Sequence, residues 1–273
     1  MQSVGSQDPA ILERAARRLG VAGLLRALDS SRRATVSAAL EAAPLVQSAW
    51  LLLPRLVQQL GQQRARSLGS QAATAVLAIT ENLRLPDLER TEEVPVLMTD
   101  VSRSLTAVAA DRRISLDIRV QTLLALAHLE DVVPQRPSGP LLGFLADPEE
   151  RIREAAVELF AVGASAPALE RLARVVTEDR SPRVARAAAV VLCARVAVVR
   201  PRRGRELELS AVRGVRAFPR IREMVEGLDA SDDQLADLAR CLVRSPDAED
   251  RRALAQLRRR SVRLRRLLRR QLR

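Results

Sequence analysis

The chain has 273 residues, 47% of them hydrophobic, and a formal net charge of +12, so it can bury a substantial core while carrying a marked basic excess. With no Tyr, three Phe and one Trp, that core must be filled by Leu, Ala and Val, and the strong helix formers Ala, Leu and Arg leave little of the β-branched and aromatic patterning that marks strands. All 45 basic residues are Arg, which excludes a Walker-type phosphate loop, a Schiff-base lysine and a lysine general base. An all-α fold is therefore predicted. Genome composition explains the arginine preference more simply than function does.

Residues 1–7 are expected to be disordered, and Asp8-Pro9 then supplies an N-cap and a first-turn proline for a helix running to Gly20. Residues 24–28 and 33–42 form a first helix pair, with Asp29 and Ser30 in the turn and Pro44 as the stop. The next helix, over residues 45–60, is predicted to kink at Pro54 because the apolar pattern continues through Leu56, Val57 and Leu60. Trp50 is read as core, and residues 67–83 form the partner helix. After a polar connection over residues 85–94, residues 96–109 and 118–129 make a third pair. Residues 132–140, with three prolines, are expected to form an exposed linker.

Residues 141–199 contain two consecutive copies of one helix-pair pattern. In the second helix of each, Ile152, Ala155, Ala156 and Leu159, then Val184, Ala187, Ala188 and Val191, recur at i, i+3, i+4, i+7, which is one face of a helix. The pairs Ala155-Ala156 and Ala187-Ala188 are 32 residues apart, and Ala38-Ala39 and Ala72-Ala73 are 34 apart. Ile118-Arg119 precedes Ile152-Arg153 by 34, with Gln121-Thr122 where the alanines would stand. Periods of this length belong to stacked helical repeats. Asp147, Pro148, Ile152, Arg153, Ala155 and Ala156, followed by Asp179, Pro182, Val184, Ala187 and Ala188, resemble the HEAT-repeat signature, specifically over residues 141–199 and more loosely over 24–129. The resemblance implies a right-handed α-solenoid of HEAT-like helix pairs over residues 8–199. It also implies a ladder between repeats, made by a turn aspartate and an arginine six positions later. Asp147 and Arg153 fit that spacing, whereas Ala185 stands six after Asp179.

The basic excess is concentrated at one end. Residues 1–194 hold 23 Arg against 22 acids, residues 195–222 nine Arg against Glu206 and Glu208, and residues 223–250 two Arg against nine acids. Residues 251–273 hold eleven Arg and no acid. Residues 200–246 are read as a charged helical extension, in which Gly214 and Pro219 leave open whether 204–226 is another repeat. Residues 247–273 are read as an Arg-rich amphipathic C-terminal helix. Ala253, Leu254, Leu257, Ser261, Leu264, Leu267 and Leu268 share one side, and Arg252, Arg259, Arg263, Arg266 and Arg270 lie opposite. Such a helix either caps the last repeat with its leucines or offers its arginines to phosphates or an acidic protein face. In a variant of the first reading, the acids of 223–250 neutralise one of the flanking basic blocks. Scarce aromatics weigh against base stacking and against anchoring at a membrane interface.

No catalytic constellation emerges. His128 has no second ligand at metal spacing, and Ser165 in GASAP lacks the second glycine of a nucleophile elbow. Cys193 and Cys241 are 48 residues apart within apolar helical patterns and read as buried thiols. Two enzyme families share HEAT-like repeats, the bilin lyases and the alkylpurine glycosylases. The glycosylases resemble this chain in fold only, since they grip DNA with an aromatic-lined basic face and a carboxylate. The expectation is a cytoplasmic, non-catalytic scaffold without cofactor, metal or membrane span, holding a protein partner on its concave face. The alternatives are phosphate-backbone binding to nucleic acid through the C-terminal arginines, and a lyase-type enzyme.

Overall fold

The computed structural model describes residues 9–61, 66–83, 93–129, 138–163, 165–197, 217–227, 231–243, 247–260 and 265–266. These residues form 13 α-helices and no strand. The chain divides into two compact units, Met1–Pro137 and Ser138–Arg273. The first unit contains the pairs α1 (Pro9–Leu28) with α2 (Arg33–Ala42), α3 (Leu53–Gly61) with α4 (Arg66–Glu81), and α5 (Glu93–Ala110) with α6 (Leu116–Leu129). Within it the second helices α2, α4 and α6 pack in succession, and α3 packs on α5. In the second unit, α7 (Ser138–Gly143) continues into a 3-10 turn over Phe144–Ala146, and that turn packs on α8 (Glu150–Gly163). It is followed by α9 (Ala166–Glu178) with α10 (Pro182–Ala197), then α11 (Ala217–Gly227) with α12 (Asp232–Val243). Here too the second helices α8, α10 and α12 pack in succession, α9 touches both α7 and α11, and α13 (Ala248–Arg260) lies against α11 and α12.

The first helix of every pair carries a proline among its first three residues: Pro9, Pro54, Pro95, Pro140, Pro167 and Pro219. The opening amides of a helix have no intrahelical acceptor, so proline costs no hydrogen bond there and sets the backbone dihedral in advance. Three sequence expectations change for this reason. The helix over 45–60 is not kinked at Pro54; it is a 3-10 turn (Ala43–Leu45), a break in which Ser48 is left-handed at φ 61°, a second 3-10 turn (Ala49–Leu52), and then α3. Residues 138–140 belong to α7 and not to a linker, while 130–137 lie outside the described residues. Pro219 opens a helix and does not interrupt one: Ala217–Gly227 is followed by Asp232–Val243 as a sixth pair, while residues 204–216 of the stretch read as a possible repeat lie outside the described residues. Gly20, at φ 59° and ψ −174°, separates the two helical stretches of α1, as its position in the sequence suggested.

The core is mostly Leu, Ala and Val, with Met98, Phe144, Phe160 and Phe218 filling larger spaces. Trp50, expected inside, is only half-buried on its 3-10 turn. The second member of each alanine pair is always buried, at Ala39, Ala73, Ala156 and Ala188, whereas Ala38 is exposed and Ala187 half-exposed. Thr122 takes the same buried place in α6 and satisfies its hydroxyl by donating to the Ile118 carbonyl at 2.7 Å. Among the described residues, no helix is long and apolar enough to cross a membrane.

Candidate functional site

The repeat-signature residues of the second unit converge on one buried ion pair. Asp147 and Asp179 each end a helix in extended backbone, and each accepts the amide two residues on, from Glu149 at 2.9 Å and from Ser181 at 2.8 Å. The carboxylate of Asp147 thus closes the turn ahead of α8. At the start of α10 the capping oxygen is Ser181 Oγ, which accepts the Val184 amide at 3.4 Å and donates to Glu150 Oε1 at 2.7 Å. Arg153, one turn into α8, donates through Nη1 to the Asp147 and Pro148 carbonyls at 2.9 and 3.1 Å. Its Nε and Nη2 donate to Oδ2 and Oδ1 of Asp179 at 2.8 and 3.0 Å, a two-pronged contact with the following helix pair. The side chains are only 6% and 5% exposed.

The six-residue spacing therefore joins Arg153 to the backbone of its own turn, and the carboxylate it meets belongs to the turn of the next helix pair. Ala185, where a second arginine would stand, is buried in the core. Burial alone would raise the Asp179 pKa, but hydrogen bonds from Arg153 and the Ser181 amide, with the charges of Arg153 and Arg180, hold it below the ordinary aspartate value. The hydrogen bond to Asp179 likewise raises Arg153. A carboxylate so engaged has no proton to give near neutral pH, and its work is to lock two turns together. Arg183 Nε adds a link to Glu154 at 2.6 Å, and Arg180 reaches the Pro148 carbonyl. An open cleft of about 370 Å³ beside this rung includes Arg171, Arg174 and Glu178 in its lining. In the first unit Arg119, 34 residues before Arg153, is buried too and donates through Nε to the Ala109 carbonyl at 2.7 Å.

At the C-terminal end, Ala253, Leu254 and Leu257 of α13 are buried while Arg252, Arg258 and Arg259 are exposed. Arg266 is exposed, and Arg263 and Arg270 lie outside the described residues. The acids opening α13 meet α11: Arg222 is 3.4 Å from Asp247, 2.8 Å from Glu249 and 3.1 Å from Asp250. Asp250 is 1% exposed. Sequence reasoning counted these charges without finding the cluster; the available signal was that Asp250 shares the buried side of α13 with Leu254 and Leu257. His128 sits 3.8 Å from Glu81, half-exposed on the surface of the first unit. Among the described residues no group of His, Cys, Asp or Glu could hold a metal ion.

No protein-family model matches the chain, and no curated protein matches it. A crystal structure of an engineered protein from the Northeast Structural Genomics Consortium is similar in fold, with a TM-score of 0.56 and 14% identity over 89% of this chain and 97% of that one. The likeness concerns the fold alone.

Proposed function

We propose that the chain is a HEAT-like helical-repeat protein whose pairs stack as a right-handed α-solenoid, and that it acts as a non-catalytic adaptor for a protein partner. The observation that carries this reading is the Arg153–Asp179 rung, which commits the best-placed buried charges to holding successive repeats in register. The second helices then offer a fixed, polar face. On α8 and α10 that face includes Glu158 and Arg183, exposed beside the packed seam. The test is recovery of a partner from source cells by the full chain, compared with Glu158→Arg and Arg183→Glu variants. Loss of one defined partner in the variants, with unchanged helicity, supports an adaptor surface. A partner retained equally by all three proteins, or no partner at all, overturns it.

A second reading, phosphate-backbone binding by the C-terminal helix, is favoured by a separate observation. The apolar stripe of α13 is buried and the acids at its start are engaged by Arg222, so Arg252 and Arg259 face solvent on a docked helix. Binding of duplex DNA or RNA to the full chain should weaken steeply with salt. Changing Arg252, Arg259 and Arg266 to Gln should flatten the log–log salt slope by about one per lost phosphate contact. Absent or salt-insensitive binding by the unaltered chain removes this reading.

A further inference from the structure

Beside the Arg153–Asp179 rung, the 3-10 turn of Phe144–Ala146 and the Asp147-Pro148 turn after it stand against α9, and the cleft of about 370 Å³ opens between them. Leu145 and Val175 give it an apolar wall. Arg171 and Arg174 both line it from one face of α9, a single turn apart, the first half-buried and the second exposed. A second open hollow, of about 680 Å³, shares Arg180 with the cleft and continues along Ser181, Arg183 and Arg186 at the start of α10. The two hollows form one track, and all of it lies in the second unit.

The charges along the track are unequally engaged. Asp179 is held by Arg153, Asp147 accepts the Glu149 amide, and Glu150 accepts the Ser181 hydroxyl, so three of the lining acids already have donors. Among the described residues no carboxylate pairs with Arg171 or Arg174, and Arg180 donates to a carbonyl, that of Pro148. A guanidinium binds a carboxylate through two parallel N–H groups, and these three have that capacity unspent. We propose that the track docks an acidic, partly apolar segment of a partner protein, with carboxylates on Arg171, Arg174 and Arg180 and an apolar side chain against Leu145 and Val175. Two features select a peptide over a nucleic-acid strand. Asp147 and Glu178 interrupt the positive lining, which repels an unbroken row of phosphates, whereas carboxylates on separate side chains can be spaced to miss them. The apolar wall shelters a Leu or Val from water, and no aromatic residue lines either hollow for a base to stack on. The inference goes beyond the adaptor reading, which puts a partner on the second helices; the two surfaces share Arg183, and each can fail alone.

The test titrates the full chain into a short fluorescein-labelled peptide of repeated Glu-Glu-Leu, followed by anisotropy, with a Gln-Gln-Leu peptide as the uncharged control. The acidic peptide should bind and the control should not. Arg171→Glu combined with Arg174→Glu, at unchanged helicity, should weaken binding by about tenfold or more, while changing Arg252, Arg259 and Arg266 to Gln should leave it within about twofold. Glu158→Arg, on the second-helix face, should also leave it within about twofold, which separates this site from the adaptor surface. A benzophenone-bearing form of the acidic peptide should photolabel the unaltered chain within residues 166–186, a readout that holds even if the double variant fails to fold. No binding, equal binding of the control peptide, or labelling confined to residues 247–273 would overturn the proposal. So would duplex DNA that binds the full chain and loses as much affinity as the peptide when Arg171 and Arg174 are reversed.

Discussion

Arg153 shows how a residue can fit a signature while its partner lies elsewhere. Its guanidinium serves two turns at once, and removing the carboxylate leaves a buried cation facing an empty place. Asp179→Ala is expected to cost about 3 kcal/mol, read from urea unfolding. The pH dependence has a definite sign. The folded-state pKa of Asp179 lies below its ordinary 3.8, so the rung's contribution is complete above that value and is lost as pH falls through the lower folded value. The unaltered chain should therefore lose stability below about pH 4 more steeply than Asp179→Asn, and parallel curves would contradict the assignment. The alanines offer a sharper residue-scale contrast. Ala188 is fully buried and Ala187 half-exposed, so Ala188→Leu should cost roughly 1 to 3 kcal/mol and Ala187→Leu well under 1. The repeat spacing made the alanine pairs legible in the sequence. Which member is buried was not, because both fit an apolar helical stripe and only the packing of the neighbouring helix separates them.

At the scale of elements, the helix faces were readable and the helix starts were misread in one consistent way. In the sequence Pro54, Pro140 and Pro219 read as a kink, a linker and an interruption, yet all three occupy the opening turn of a first helix, as Pro95 and Pro167 do. A proline's meaning depends on its distance from the helix start, which the apolar period cannot locate when the preceding turn is itself apolar, as at Ala49–Leu52. The same ambiguity concealed the sixth pair, and with it the surface on which α13 rests. Asp250 is almost wholly buried beside Arg222, so the docking of α13 combines an apolar stripe with an ion cluster. Arg222→Ala should destabilise the chain by about 2 kcal/mol and raise hydrogen exchange first across residues 248–260. Exchange that rises equally in α9 and α10 would mean that Arg222 serves the whole unit and not the attachment of its last helix.

At the scale of the whole molecule, periodicity and compactness report different things. Ile118-Arg119 and Ile152-Arg153 keep a 34-residue spacing across the boundary between the units, so the pattern alone runs on as one array. It records which side of each helix is apolar, not which neighbour covers that side. Each unit encloses its own core: Leu56, Met98, Leu105 and Leu126 are buried in the first, and Leu172, Leu192, Ile221 and Leu238 in the second. The second unit also contains the Arg153–Asp179 rung and the Arg222 cluster, and both partners of each lie within Ser138–Arg273. Residues 138–273 expressed alone should therefore be helical by circular dichroism and unfold in one cooperative transition. Asp179→Ala should lower the midpoint of that fragment by as much free energy as it does in the full chain, because the rung has both partners inside the unit. A fragment that is helical but unfolds without a cooperative transition would show that the buried faces of the second unit need the first to complete them.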